Sequence, residues 1–225
     1  FVQSDDKNTD GCKSLKARAE ANEAFGAELK KGKKADAQRG YEIACKEWMD
    51  VRSFGQVFAF KGSDLSLGIR GPVSVQPAFS VDPIDITSMQ ITKSVNSEDK
   101  EGKSSDTMGM KHRVDFGVYI LKGSINVQLS EKTGFTEEDA EKIKEAIRTL
   151  FVNDSSSARP DGSMVMHRLY WWKHNCKIGQ YSSHKVHNSI EIKKKEGVRN
   201  PRKIEDYEII CHELPGLAVE EYEGL

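Results

Sequence analysis

The strongest constraint on this fold is an interruption in otherwise strand-like sequence. Residues 68–96 (GIRGPVSVQPAFSVDPIDITSMQITKSVN) and 108–129 (MGMKHRVDFGVYILKGSINVQL) are rich in β-branched and aromatic side chains, which fit a pleated surface. Between them SEDKEGKSSDT, residues 97–107, holds no apolar residue. Such a segment adds nothing to a core, so it must leave the sheet as a solvated arm. Strand-like sequence resumes with Met108, Met110, Lys111, His112 and Arg113, where apolar wedges and cations sit side by side. That mixture suits nucleic acid better than a hydrophobic core, because cations meet phosphates and apolar groups meet base faces.

Ahead of the arm, the apolar period changes from helix to strand. Residues 13–30, rich in Ala, Lys, Glu and Leu, predict a solvated helix, and KKGKK (30–34) a basic turn. Tyr41, Ala44, Cys45 and Trp48 fall at i, i+3, i+4 and i+7, one buried face of a helix over about 36–50. Val57 to Phe60, bounded by Gly55 and Gly62, predicts a strand buried on both faces, with Phe58 and Phe60 in the core. Val73 to Val81 predicts an extended segment that its prolines confine to an edge or bulge, and residues 84–91 continue it.

Beyond the arm, Val114, Phe116, Val118 and Ile120 alternate with Arg113, Asp115 and Gly117, predicting a strand from Arg113 and a bulge at Gly123. Thr136-Glu-Glu-Asp139 is a capping-box-like helix start, followed by a stripe of Ala140, Ile143, Ala146, Ile147 and Leu150. Strands are predicted over 164–172, 187–194 and 206–210, with a loop over 153–163.

Helix, strand, armed strand, helix, strand is most of a ferredoxin-like β-α-β-β-α-β unit, an α+β class. The first strand is missing ahead of the helix at 36–50, and the chain opens on Phe1 rather than Met. Both lead to the expectation that the natural N-terminus lies outside this sequence. The chain is expected to be one N-terminally truncated domain over 1–225.

Bulk properties narrow the function classes. No apolar run is long enough to span a membrane and no signal-peptide pattern opens the chain, so the expectation is a cytoplasmic protein with no membrane partner. Cys12, Cys45, Cys176 and Cys211 are widely spaced without a C-x-x-C pair, which favours reduced thiols. His174, Cys176, His184 and His187 are the best metal candidates, and polar loop residues are the preferred reading, so no metal or other cofactor is expected. The net charge is −1, yet seven acidic residues follow Lys203 without a Lys or Arg, so residues 1–204 carry +6. A basic body with an acidic tail can hold an anion-binding groove.

The strings DVRSFGQVFAFKG (50–62), GIRGPVSVQPAFSVDP (68–83), ITKSVN (91–96), MGMKHRVDFGVYILKGSINV (108–127) and LYWWKHN (169–175) together resemble one family. It is the Cascade backbone subunit of CRISPR subtype I-C, the Cas-seven family of the RAMP superfamily. The resemblance covers roughly residues 36–210. The family's opening strand and its Asn-Pro-Asn-Gly-Asp-Pro-type loop do not appear here.

The resemblance implies an RRM-like palm with inserted fingers, here about residues 1–49, and a β-hairpin thumb, here about 84–112. It implies a subunit that stacks with neighbouring copies along CRISPR RNA and, with other Cascade subunits, presents it to a target DNA strand. Carried onto this sequence, Lys93 and Lys111 flank the thumb, and Met108 and Met110 serve as wedges near a displaced base. Arg52, Phe54 and Gln56 lie on the palm near the RNA path. Lys61, Arg70, His112 and Arg113 complete the expected RNA-binding set.

Guide binding must ignore sequence, so backbone cations and stacking groups are the chemistry required. Solvated surface charge competes with this reading for each cation, Arg159, Lys173 and Lys185 included, and core packing competes for the methionines. Catalysis is the rival function. His112, His167, His174, His184 and His187 could supply an acid and a base, and Asp82 with Asp85 an acidic pair. No nucleophile–base spacing stands out, so a non-enzymatic scaffold is expected. A metal-independent RAMP-type endoribonuclease processing precursor CRISPR RNA is the alternative.

Overall fold

The computed structural model describes residues 1–95 and 108–225. In chain order these hold α1 (Leu15–Ala21), α2 (Glu23–Leu29), α3 (Ala37–Glu47), α4 (Met49–Phe54), β1 (Gly55–Ala59), β2 (Ser66–Arg70), β3 (Val73–Val75), β4 (Phe79–Ser80) and β5 (Ile86–Thr92). After the arm come β6 (Met108–Val114), β7 (Tyr119–Ile120), β8 (Gly123–Ile125), α5 (Val127–Thr133), α6 (Glu137–Arg148), β9 (Arg168–Trp172), α7 (Ser183–His187), β10 (Ile190–Lys194), β11 (Tyr207–Cys211) and β12 (Val219–Glu223). The class is α+β. Among the described residues every strand pairs with one other, antiparallel, in small two-stranded sheets.

The chain gathers into two compact units. The first comprises Phe1–Val75, Gly123–Ser183 and Glu213–Leu225; the second comprises Gln76–Lys122 and His184–His212.

The core of the first unit is aromatic. Phe25 and Phe58 are fully buried, with ring centroids 4.8 Å apart, and Phe1 and Trp48 close the cluster. Ala44 and Cys45 are buried against it, with Tyr41 and Trp48 packed alongside, the face that the i, i+3, i+4, i+7 spacing predicts. The helix predicted over 13–30 is two helices. Asn22 ends α1 and caps α2, its side chain accepting from the Phe25 N–H at 2.9 Å. A short polar side chain that bonds its own backbone breaks a helix and restarts it.

The strand over Val57–Phe60 is buried on one face only. Phe58 is fully buried, whereas Val57 is 68% exposed. Two strands covered by helices on one side leave the other side open, so β2 alternates in the same way, with Leu67 and Ile69 buried and Gly68 and Arg70 exposed. Two glycines let α4, β1 and the end of β2 close together. Gly55 has φ +86°, and a Cβ there would lie 2.2 Å from the Ile69 carbonyl oxygen; one on Gly71 would lie 2.2 Å from that of Ser53.

In this same unit α6 keeps its capping box at Thr136 and Asp139. Its buried side differs from the predicted stripe. Ile143 is buried, but Leu150 is 45% exposed and Lys144 is buried in its stead. The acidic tail explains the change, because residues 219–223 form β12, paired with β9. Lys144 sits over the Trp171 and Tyr222 rings, at 5.2 and 5.3 Å, and bonds Glu141 at 2.9 Å and Glu220 at 3.0 Å. Helix α5 was not predicted. Its flanks carry the signal, Asn126 as N-cap and Gly134 as left-handed C-cap.

The second unit contains the β5–β6 hairpin and the pairs β4–β7 and β10–β11. The strand predicted from Arg113 starts at Met108 and ends at Val114, so the sequence rejoining from the arm is already strand. β10 and β11 match the predicted strands, with β10 opening at Ile190 because α7 occupies 183–187.

Candidate nucleic-acid interface

The candidate site is the β5–β6 hairpin, which carries the arm. Seven residue pairs fix its register: Ile86 opposite Val114, Thr87 opposite Arg113, Ser88 opposite His112, Met89 opposite Lys111, Gln90 opposite Met110, Ile91 opposite Gly109 and Thr92 opposite Met108. Directly opposed residues share a face, and neighbours along a strand alternate. One face therefore holds Met108, Met110, His112 and Val114 with Ile86, Ser88, Gln90 and Thr92. The other holds Gly109, Lys111 and Arg113 with Thr87, Met89 and Ile91.

This corrects the expectation that methionine wedges and cations sit side by side. A period of two puts Met108 and Met110 on one face and Lys111 and Arg113 on the other. Lys93 directly follows β5 and is half-buried. Met89, directly opposite Lys111, and Ile91, opposite Gly109, share the cationic face and were not among the expected residues; the alternation from Ile86 to Thr92 carries them.

The hairpin is exposed on both faces. Met108 is 62% exposed, Met110 56%, Ile86 62% and Ile91 49%. Polar bonds brace it across the strands. Ser88 Oγ lies 2.8 Å from His112 Nδ1 and Thr87 donates to Asp115 at 2.8 Å, while along the second strand Arg113 Nε donates to the other Asp115 oxygen at 2.7 Å. The Thr87 and Arg113 bonds hold the Asp115 carboxyl below its ordinary range. The Lys111 ammonium has no partner among the described residues. A two-stranded hairpin exposing this much apolar surface on both faces is marginal alone and gains from being covered. The charged arm, 97–107, lies outside the described residues apart from its flanks.

The other candidate residues belong to the first unit, where Arg52, Phe54, Gln56 and Arg70 lie at the junction of α4, β1 and the end of β2 but do not share one face. Arg52 donates from Nε and Nη2 to the two oxygens of Asp139, at 2.8 and 2.6 Å. Its cation is engaged inside the fold. Phe54 is 52% exposed at the end of α4. Gln56 faces the core side of β1, opposite Ile69, and Arg70 faces the open side, opposite Gly55. Lys61 is exposed and its carbonyl accepts from the Lys16 ammonium. Arg159 pairs with Asp154 at 3.1 Å, and Lys173 with Glu137.

Of the histidines considered for catalysis, His112 lies on β6 and His184 and His187 on α7. His174 Nδ1 accepts from the Gln180 N–H at 3.0 Å, and His184 lies 3.0 Å from Asn188. Asp82, one of the proposed acidic pair, accepts from the Tyr207 hydroxyl at 2.8 Å and pairs with Lys194 at 3.1 Å. The Tyr207 bond holds its carboxyl low, while burial, with help from Asp82, raises the Tyr207 hydroxyl to about 12. Among the described residues, no group of three or more His, Cys, Asp or Glu side chains is arranged to hold a metal ion. No helix among them is long and apolar enough to cross a membrane.

Comparison with curated proteins finds no match. Among solved structures, a chain described as "CRISPR RNA-guided surveillance complex, pre-nicking" matches with 21% identity and a TM-score of 0.38, over 64% of this chain and 42% of that one. The chain thus spans less than half the length of that relative. The family model described as CRISPR-associated protein Cas7 matches residues 1–212. A match over that span takes in the helical segment, both strands of the hairpin and β11, and by it this chain belongs to the CRISPR-associated Cas7 family.

Proposed function

We propose that this chain is a cytoplasmic, non-enzymatic scaffold that binds CRISPR RNA irrespective of its sequence. In this reading several copies stack along the spacer, with other Cascade subunits, and present it to a target DNA strand, as in subtype I-C. An RRM-like palm carries the helical segment as fingers and the β5–β6 hairpin as thumb. Family membership supports the reading. The observation that carries it is the hairpin, with exposed methionines on one face and Lys111 and Arg113 on the other. Cations neutralise phosphates and apolar groups wedge or stack against bases, and neither discriminates sequence.

The test is assembly on RNAs of increasing length and unrelated sequence, followed by size-exclusion chromatography with light scattering. The number of bound copies is expected to rise in steps with RNA length and to be indifferent to sequence. One copy per RNA at every length overturns the scaffold reading. Metal-independent cleavage of repeat RNA, abolished in His112→Ala, would instead make the chain an endoribonuclease.

A further inference from the structure

The second unit holds a cleft that none of the roles above uses. It encloses about 100 Å3 and is lined by Asp82–Asp85, Asp115–Val118, Lys194, Arg199–Arg202 and Tyr207. Its base is fixed. Tyr207 is buried, bonds Asp82 and stacks on Phe116 with centroids 6.5 Å apart, and Lys194 completes the Asp82 pair. Asp115 is likewise satisfied by Thr87 and Arg113.

Three charged groups remain without a hydrogen bond or ion pair among the described residues: the Arg199 and Arg202 guanidinia and the Asp85 carboxylate. Arg202 contributes to the field at Asp115 without bonding it, and its backbone N–H donates to Asp206 at 2.8 Å, which fixes the loop that presents it. Asn200 and Pro201 separate the two arginines in the loop between β10 and β11. With Asp82 and Asp115 neutralised by their partners, the unpaired charge in the cleft is two guanidinia against one carboxylate.

We infer that this cleft binds a ribonucleotide phosphate, with Arg199 and Arg202 on the phosphate oxygens and Asp85 accepting from a ribose hydroxyl. A guanidinium presents paired N–H donors that match phosphate geometry. A free carboxylate on the same rim repels a second phosphate and suits a hydroxyl donor, the group that separates RNA from DNA. Neither contact reads the base, so the site extends the proposed function without adding sequence preference. The phosphate could belong to an RNA strand or to a free nucleotide, and the inference rests on the RNA-binding reading only for the first.

The test uses the full chain and two probes: short single-stranded RNA followed by fluorescence anisotropy, and adenosine monophosphate followed by equilibrium dialysis. Arg199→Ala/Arg202→Ala is expected to weaken the RNA by about tenfold or more, since hydrogen bonds to charged groups are lost. The log–log salt slope should fall in magnitude by about 0.7, the one phosphate that the pair holds on a single strand. Lys33→Ala/Lys34→Ala, which removes the same charge from the exposed turn of the first unit, should leave the slope within error. Asp85→Ala should narrow the preference for RNA over the DNA of equal sequence. Loss on RNA alone assigns the site to a strand, and loss on both probes to nucleotides generally.

If hairpin variants weaken RNA binding and the arginine pair changes neither probe, the cleft inference is overturned while the proposed function stands. If the chain binds no RNA but the arginine pair abolishes nucleotide binding, the cleft stands and the proposed function falls. A glutamate-rich peptide that binds the cleft as tightly as RNA makes its ligand an acidic protein, which also overturns the inference.

Discussion

Arg52 and Asp139, 87 residues apart in sequence, are joined by two charged hydrogen bonds of 2.8 and 2.6 Å. Asp139 is almost wholly buried and already serves as the N3 residue of the α6 capping box, bonding the Thr136 N–H at 3.0 Å. The pair thus ties α4, at the entrance to β1, to the start of α6. An arginine within one of the motifs that resemble the Cascade backbone family is here held by the fold.

Replacing Arg52 by Ala should therefore be read first in stability. Leaving a buried carboxylate without its partner costs about 3–5 kcal/mol. Urea unfolding should show a loss of that order, and Arg52→Lys should recover only part of it, because one ammonium cannot span both oxygens. If Arg52→Ala melts like the parent but binds RNA weakly, the residue works at the RNA and the ion pair contributes little.

The same pair sets an acid limit. Its bonds from Arg52 hold the Asp139 carboxyl down to about 2 from an ordinary 3.8. A carboxyl with a lowered pKa in the folded state adds stability that is fully present above its unfolded value. That contribution drains as pH falls from about 4 towards about 2. Stability measured across this interval should drop less steeply in Asp139→Asn than in the parent. Equal slopes would show that other carboxylates govern acid unfolding.

Much of the first unit is legible in sequence, and the failures share a cause. The face of α3 was readable because Tyr41, Ala44, Cys45 and Trp48 repeat at helical spacing and pack on a single aromatic cluster. The capping box at Thr136 was readable because it is local. Lys144 and β12 were not, because a lysine between two rings and a strand of Glu220, Glu221 and Glu223 are stabilised only by each other. In the hairpin, the strand-like composition around the arm was visible. The separation of methionines from cations depended on a strand start at Met108 that composition does not mark. Arg199 and Arg202 carry no sequence signal, because an Asn200-Pro201 loop between arginines looks like any solvated segment.

The acidic tail should accordingly behave as structure. Removing residues 213–225 deletes β12, takes Glu220 and Tyr222 from Lys144, and uncovers Trp171. Lys144 would then be a poorly compensated charge beside exposed aromatic surface. Tryptophan fluorescence should shift to the red and the thermal transition should fall by several degrees or broaden. An unchanged transition would mean that β9 and α6 hold together without the tail.

The two hairpin faces should separate in their response to salt. In the proposed reading Lys111 meets RNA through charge, so Lys111→Ala should lower affinity and reduce the magnitude of the log–log salt slope by about 0.7. Met108→Ser/Met110→Ser removes apolar contact and leaves charge untouched, so it should lower affinity by a factor that is the same at low and high salt. Covering the exposed part of a methionine side chain is worth about 1–2 kcal/mol, roughly fivefold to thirtyfold. The methionine variant is expected to fold normally, since both side chains are more than half exposed. If both variants change the slope alike, RNA does not distinguish the faces, and the register of β5 on β6 has no bearing on how the strand is held.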